Sequence, residues 1–265
     1  MKKSKCSVSP LLAVLAAMIT VGCSDGGGQS PERVHSGCAR LTEEERTSVC
    51  SVPVRAPEYY VEQSHRYFDS LDSTIPPDVR PEYAERVVRW EWPPWLKLTG
   101  FGRDSMIFTD LFLKLIPTRI PVRDCRFFPV QPFGRCYVVF DYSGDPCPIY
   151  EEFTFNEAGE MTFIEAWTDA PGFLPMLDPA DRWGEGPDVN RLSSRIPGLG
   201  SPKGRIDLDG EPMQEAASRS KDVADFVTRA KDPVVWWLIE AVKAGPDLFE
   251  HGCHPDEPHP RPVFP

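Results

Sequence analysis

The chain lacks the short signatures by which many activities announce themselves. It has no glycine-rich phosphate loop, no H-E-x-x-H and no G-x-S-x-G, so nucleotide-phosphate, zinc-peptidase and serine-hydrolase chemistry have no foothold in a motif. No pair of cysteines shows C-x-x-C spacing, no internal repeat is visible, and no basic aromatic strip offers itself to nucleic acid. Cations are also scarce. Lys and Arg number 29 against 40 Asp and Glu, a formal charge of −11. Such a field repels phosphate backbones and anionic lipid surfaces, so no nucleic-acid partner is expected. The apolar runs Leu11–Val21 and Val234–Ala244 are both too short to span a bilayer.

What is abundant is proline, 29 residues of 265, which argues against a long helical bundle and for many fixed turns. Apolar residues make up 41% and aromatics 11%, enough for a core. The length suits one sizeable domain with an extension, or two small domains.

The first 22 residues read as an export signal: Lys2, Lys3 and Lys5, then the apolar run, then small residues. Without those three lysines the remaining chain carries 26 basic and 40 acidic residues, or −14. The run closes on I-T-V-G-C, residues 19–23, which resembles the lipobox of bacterial lipoproteins. Thr20 departs from the aliphatic residue usual there. The resemblance implies cleavage after Gly22, lipidation of Cys23 and a cell-envelope protein attached to a membrane through its lipid. By the same resemblance Ser24 favours the outer membrane. S-D-G-G-G-Q-S-P then serves as a flexible tether. An ordinary signal peptide with a chance cysteine is the alternative.

Six further cysteines remain, Cys38, Cys50, Cys125, Cys136, Cys147 and Cys253. In an exported chain they suggest up to three disulfides, and Cys38 with Cys50 and Cys125 with Cys136 are the nearest local pairs. Residues 23–57 therefore read as tether and stapled loop.

From Glu58 onward periodicity appears. Val61, Phe68 and Leu71 predict a helix ending before Pro76. Tyr83, Val87 and Trp90 suggest a second helix beginning near Pro81 and stopped by Pro93. A third is expected from a cap at Asp104 to about Ile116, with Ile107, Leu111 and Leu115 as its inward stripe, widened by Phe108 and Phe112. Trp90, Trp92 and Trp95 cluster, and such clusters serve core or lid packing more often than a ligand pocket. Val122–Val130 predicts a proline-interrupted edge strand, and Arg135–Tyr142 alternates clearly.

The most informative stretch is Ile149–Trp167, which reads as a β-hairpin with Gly159 in a left-handed turn position. That turn predicts pairs Phe155/Met161, Phe153/Phe163, Glu151/Glu165 and Ile149/Trp167 on one face. Two carboxylates would then oppose each other among aromatics and share a proton, an arrangement suited to acid/base work or ligand gripping. Solvation at the open end of the face, or pairing with Arg135, is the plainer alternative.

Three helices followed by long strands, with E-E-F-T-F-N-E-A-G-E-M-T-F-I-E-A-W near the end, resemble the nuclear transport factor 2-like domain. The resemblance covers residues 58–169. It implies an α+β fold, a curved antiparallel sheet folded cone-like over N-terminal helices, and a cavity that Phe153, Phe163 and Trp167 would line for a small apolar ligand. It also admits cyclase, isomerase or dehydratase activity, with Glu151, Glu165 and His65 as candidate groups and Asp69 beside His65. Non-catalytic binding or docking is the leading expectation.

Ala170–Gly210 is rich in proline and glycine and reads as an irregular loop, with Trp183 able to reach a cavity mouth. Residues 211–265 are expected to hold the C-terminal helices and a tail. Glu211–Ala230 reads as one helix; the next begins at Asp232-Pro233 and stops at Gly245-Pro246, apolar nearly all round and so buried, docked or self-associating. His251, Cys253, His254 and His259 in the tail are acceptable metal ligands, but a solvated, disulfide-held tail is the expectation. No metal and no cofactor are predicted.

Overall fold

The computed structural model describes residues 52–92, 99–115, 118–142, 145–168, 176–178, 181–185 and 190–250. All lie in one unit, Arg33–Pro265. The signal, Cys23, the tether and the histidine-bearing tail fall outside the described residues.

Helix α1 (Pro57–Leu71) starts on its own proline, which suits a first helical turn. It is followed by strands β1 (Tyr83–Glu91) and β2 (Thr99–Phe101), helix α2 (Arg103–Leu113), and strands β3 (Thr118–Phe127), β4 (Gly134–Tyr142), β5 (Asp145–Phe155) and β6 (Met161–Thr168). A small hairpin, β7 (Met176–Asp178) and β8 (Asp181–Glu185), precedes helices α3 (Glu211–Arg219), α4 (Lys221–Lys231) and α5 (Pro233–Glu250). Six strands form one mixed sheet in the order β2-β1-β6-β5-β4-β3. Its β1–β6 pair is parallel and the others antiparallel. The fold class is α+β, with helices laid on a curved sheet.

Both faces of the sheet are covered. Under α1 and α2 lies an inner core that includes Tyr60, Tyr67, Phe68, Phe153 and Phe155. On the outer face Val88, Trp90, Tyr150, Phe163 and Trp167 meet Leu192, Ile196, Ile206, Val223 and Phe226. The proline- and glycine-rich extension thus backs the sheet: its apolar residues are spaced irregularly in sequence but all reach the same surface.

Several expectations are corrected. Residues 83–91 form a strand, not a helix. Val87 and Val88 are both fully buried because each faces a different core, and a strand covered on both sides loses the alternation that identifies strands. Helix α2 begins at Arg103 after Gly102 at φ 86°, with Asp104 inside its first turn rather than capping it. Glu211–Lys231 is two helices, because Ser220 adopts an extended backbone and its hydroxyl accepts from Val223 N. The last helix continues through Gly245 and Pro246 to Glu250, since a proline removes one helical N–H without necessarily ending the element. Among the described residues no helix is long and apolar enough to cross a membrane.

Candidate functional sites and surface

The hairpin turn forms as expected: Gly159 has φ 85°, Asn156 N donates to Glu160 O at 3.0 Å, and Phe155 pairs with Met161. Beyond that pair the register shifts by one. Thr162 is the extra residue, held by its Oγ1 donating to Thr154 O at 3.1 Å. A one-residue bulge sends every later side chain to the opposite face. Glu151 therefore lies opposite Ala166, and Glu152 opposite Glu165. The predicted Glu151/Glu165 pairing is overturned. Phe153 belongs to the inner core, while Phe163 and Trp167 belong to the outer one.

On the inner face a buried polar network surrounds Arg89, which is 1% exposed. Its guanidinium donates to Asp110 Oδ1 and to Thr109 Oγ1, each at 2.9 Å. Asp110 Oδ2 also accepts from Tyr83 at 2.7 Å and Ser70 at 3.2 Å. Burial pushes the Asp110 carboxyl up, with Arg89 and the Tyr83 hydroxyl acting in the opposite direction. Glu151 is buried near Tyr67, and its Oε2 has no hydrogen-bond partner among the described residues. Burial first, and Glu91 second, push its carboxyl well above the ordinary range. Burial likewise pushes Glu91 up to about 7.

Aromatic rings crowd the inner core. Tyr67 and Phe68 meet the Phe153 ring edge-on at 5.2 and 5.8 Å, and Tyr60 meets Phe155 at 4.9 Å. A recess beside Asp110, lined by Ser70, Pro77, Arg80, Ile107 and Leu111, has space of about 10 Å³, about enough for a single water.

On the outer face the opposed carboxylates clamp the extension. Glu152 takes a bidentate fork from Arg191 at 2.6 and 2.7 Å. Glu165 accepts from Trp92 Nε1 at 2.7 Å, Leu192 N at 2.5 Å and Ser193 N at 3.1 Å. Burial, and then Glu152 against the effect of the Ser193 bond, leaves Glu165 at about 7. His65 sits half-buried on α1, pushed down first by burial and then by Arg123, with Asp69 opposing. These neighbours belong to an ion-pair cluster in which Arg123 binds Asp69 and Asp72, away from Glu151 and Glu165. Trp183 stacks near Tyr150 and Phe128 under the Arg126 guanidinium.

Cys125 and Cys136 are joined as directly opposed residues of β3 and β4. Cys147 is also disulfide-bonded. Cys38, Cys50 and Cys253 lie outside the described residues. The Arg89–Asp110 pair and Arg191 were not singled out from sequence. Asp110 alone left a hint, as a carboxylate within the apolar C-terminal half of its helix.

Helix α2 is amphipathic in the reverse sense. Its buried residues are Met106, Thr109 and Asp110, whereas Phe108 is 50%, Leu111 40%, Phe112 37% and Leu115 (just past its end) 79% exposed. Of the stripe expected to face the core, Ile107 packs against the inner core, while Leu111 and Leu115, with Phe108 and Phe112, face out. Helix α5 repeats the pattern: Trp237 is fully buried and Val235, Leu238, Ile239 and Val242 are exposed. The Phe112 and Trp237 rings meet edge-on at 5.1 Å, so the two helices pack against each other.

No family model matches the chain, and no curated protein matches it. Among solved structures, a cystatin-like protein of unknown function from Methylobium petroleophilum is similar over 52% of this chain and 99% of its own, at 10% identity and TM-score 0.38. An NTF2-like protein of unknown function from Mesorhizobium loti covers 46% and 99%, at 14% identity and TM-score 0.35. SalBIII, an epoxide hydrolase/cyclase-like enzyme of pyran-ring formation in salinomycin, covers 42% and 84%, at 11% identity and TM-score 0.29. Likenesses of this degree assign no residue role and no activity here.

Proposed function

We propose that this chain is a non-catalytic interaction module of the bacterial cell envelope, held to its membrane through lipidated Cys23 and docking through the exposed apolar face of α2 and α5. The reversed amphipathy of α2 carries the docking half of this reading, because clustered exposed apolar side chains mark an interaction site. The lipobox-like I-T-V-G-C carries the anchoring half. A small apolar ligand beneath the sheet has less support, since aromatic rings already touch one another there. Acid/base catalysis has one observation in its favour, the buried Glu151, its carboxyl pushed up and one oxygen without a partner among the described residues. The recess beside Asp110 has room for about one water, and Glu151 is not among its lining residues.

Docking is tested by extracting the envelope in mild detergent and comparing native-gel mobility of the wild type with a Leu115→Lys/Val242→Lys variant. Both side chains are nearly four-fifths exposed, so the variant should melt within a few degrees of the wild type. The wild type should migrate in a complex and the variant as the processed monomer. Equal mobility of the two would contradict the reading.

A further inference from the structure

We propose that the occupant of the α2–α5 face is a second copy of this chain, related by a two-fold axis; this rests on the docking reading above. The eight exposed side chains, Phe108, Leu111, Phe112 and Leu115 with Val235, Leu238, Ile239 and Val242, carry no charge. An isologous interface must be complementary to itself, and an uncharged stripe meets that condition where a charged one repels its own image. This matters in a chain of net charge −11, whose copies repel one another elsewhere. From their exposed fractions the eight side chains offer on the order of 700 Å² per copy, close to the half-interface of a standard stable complex.

The spacing also fits. Both stripes run i, i+3, i+4, i+7, the pattern of helices that pack lengthwise on other helices. Two copies would join α2 and α5 of each into a four-helix layer. The sheet offers no competing face, since the extension and α4 cover its outer side. Copies anchored to one membrane would also meet at raised effective concentration.

A lipid surface suits the face less well. Interfacial helices rely on a basic fringe, and the cations at the ends of α2 are engaged within the fold. Arg103 donates to Tyr83 O at 2.8 Å and pairs with Glu160 at 3.6 Å. Lys114 donates to the carbonyls of Asp69, Asp72 and Ile75 at 2.7–2.8 Å.

The test places a photo-crosslinking benzoylphenylalanine at Phe108 in the full chain, illuminates intact cells and resolves the products on a denaturing gel. The expected result is an adduct of twice the chain mass whose cross-linked peptide comes from α2 or α5. The adduct should disappear when Val242→Lys is added, and the same probe at exposed Thr228 on α4 should give none. An adduct with a different protein overturns the second copy while leaving the docking reading standing. A lipid adduct, or a doubled mass mapped outside α2 and α5, overturns the proposal as well. No adduct at all overturns both the proposal and the docking reading.

Discussion

Arg89 and Asp110, 2.9 Å apart and both buried, set the direction in which α2 faces. A buried guanidinium needs its counter-charge, and Asp110 meets that need only if the side of α2 bearing Met106, Thr109 and Asp110 turns inward. Phe108, Leu111, Phe112 and Leu115 are then carried to the surface. One ion pair in the interior thereby creates the apolar exterior on which the functional reading depends.

The pair should be far less tolerant of change than the acid near it. Asp110→Asn leaves Arg89 buried beside a neutral amide and should cost about 3–5 kcal/mol. Burial and Glu91 favour the protonated form of Glu151, so Glu151→Gln should cost less than about 1 kcal/mol. Urea unfolding of both variants at pH 7 checks the order. Equal losses would mean that Glu151 is ionised in the folded protein.

Glu165 gives the fold a pH dependence of definite sign. Its folded value is about 7 against an ordinary 4.5, so between these values the folded state binds more protons than the unfolded one. Stability falls as pH rises through this window, by about 2–3 kcal/mol between pH 5 and 8. Glu91, also near 7, acts in the same direction. The Glu165→Gln variant should lose its share of the fall, seen as a smaller difference between unfolding free energies at pH 5 and pH 8. An unchanged difference would assign the slope to other groups.

The residues that were hard to read from sequence share a physical cause. Val87 and Val88 belong to two cores at once, so β1 shows no alternation and its aromatic spacing passes for a helix. Glu151 and Glu165 fell on different faces because of Thr162, a bulge with no signature of its own; Phe155 opposite Met161 was legible because Gly159 dictates the turn. The cross-strand Cys125–Cys136 bond was legible from proximity in the chain. Helix α2 was legible as an element and misread in its facing, because apolar stripes were assumed to point inward. Its partner Arg89 lay in the stretch taken for a helix, so nothing in the sequence reading required Asp110 to be buried.

Helix α1 approaches the sheet closely where Gly134 meets Ser64. A methyl at Gly134 would collide with Ser64 Oγ and also touch Phe153. Gly134→Ala should therefore destabilise by about 1–3 kcal/mol, and adding Ser64→Ala should recover much of the loss. The double-mutant cycle in urea measures this coupling. Additive effects would place the strain elsewhere.

Anchoring has its own check. Cells fed radiolabelled palmitate should label the wild-type chain and leave Cys23→Ala unlabelled, with the variant released from the membrane fraction. Label on both chains, or on neither, would remove lipidation at Cys23 from the account.

Sedimentation equilibrium of the full chain in detergent tests the central claim most directly. The account predicts a dimer dissociating in the micromolar range or tighter, a range typical of interfaces of this size, and a Leu111→Asp/Leu238→Asp variant that stays monomeric while keeping the wild-type circular dichroism. A wild type that sediments as a monomer at the highest attainable concentration, or a variant that dimerises equally well, would contradict it.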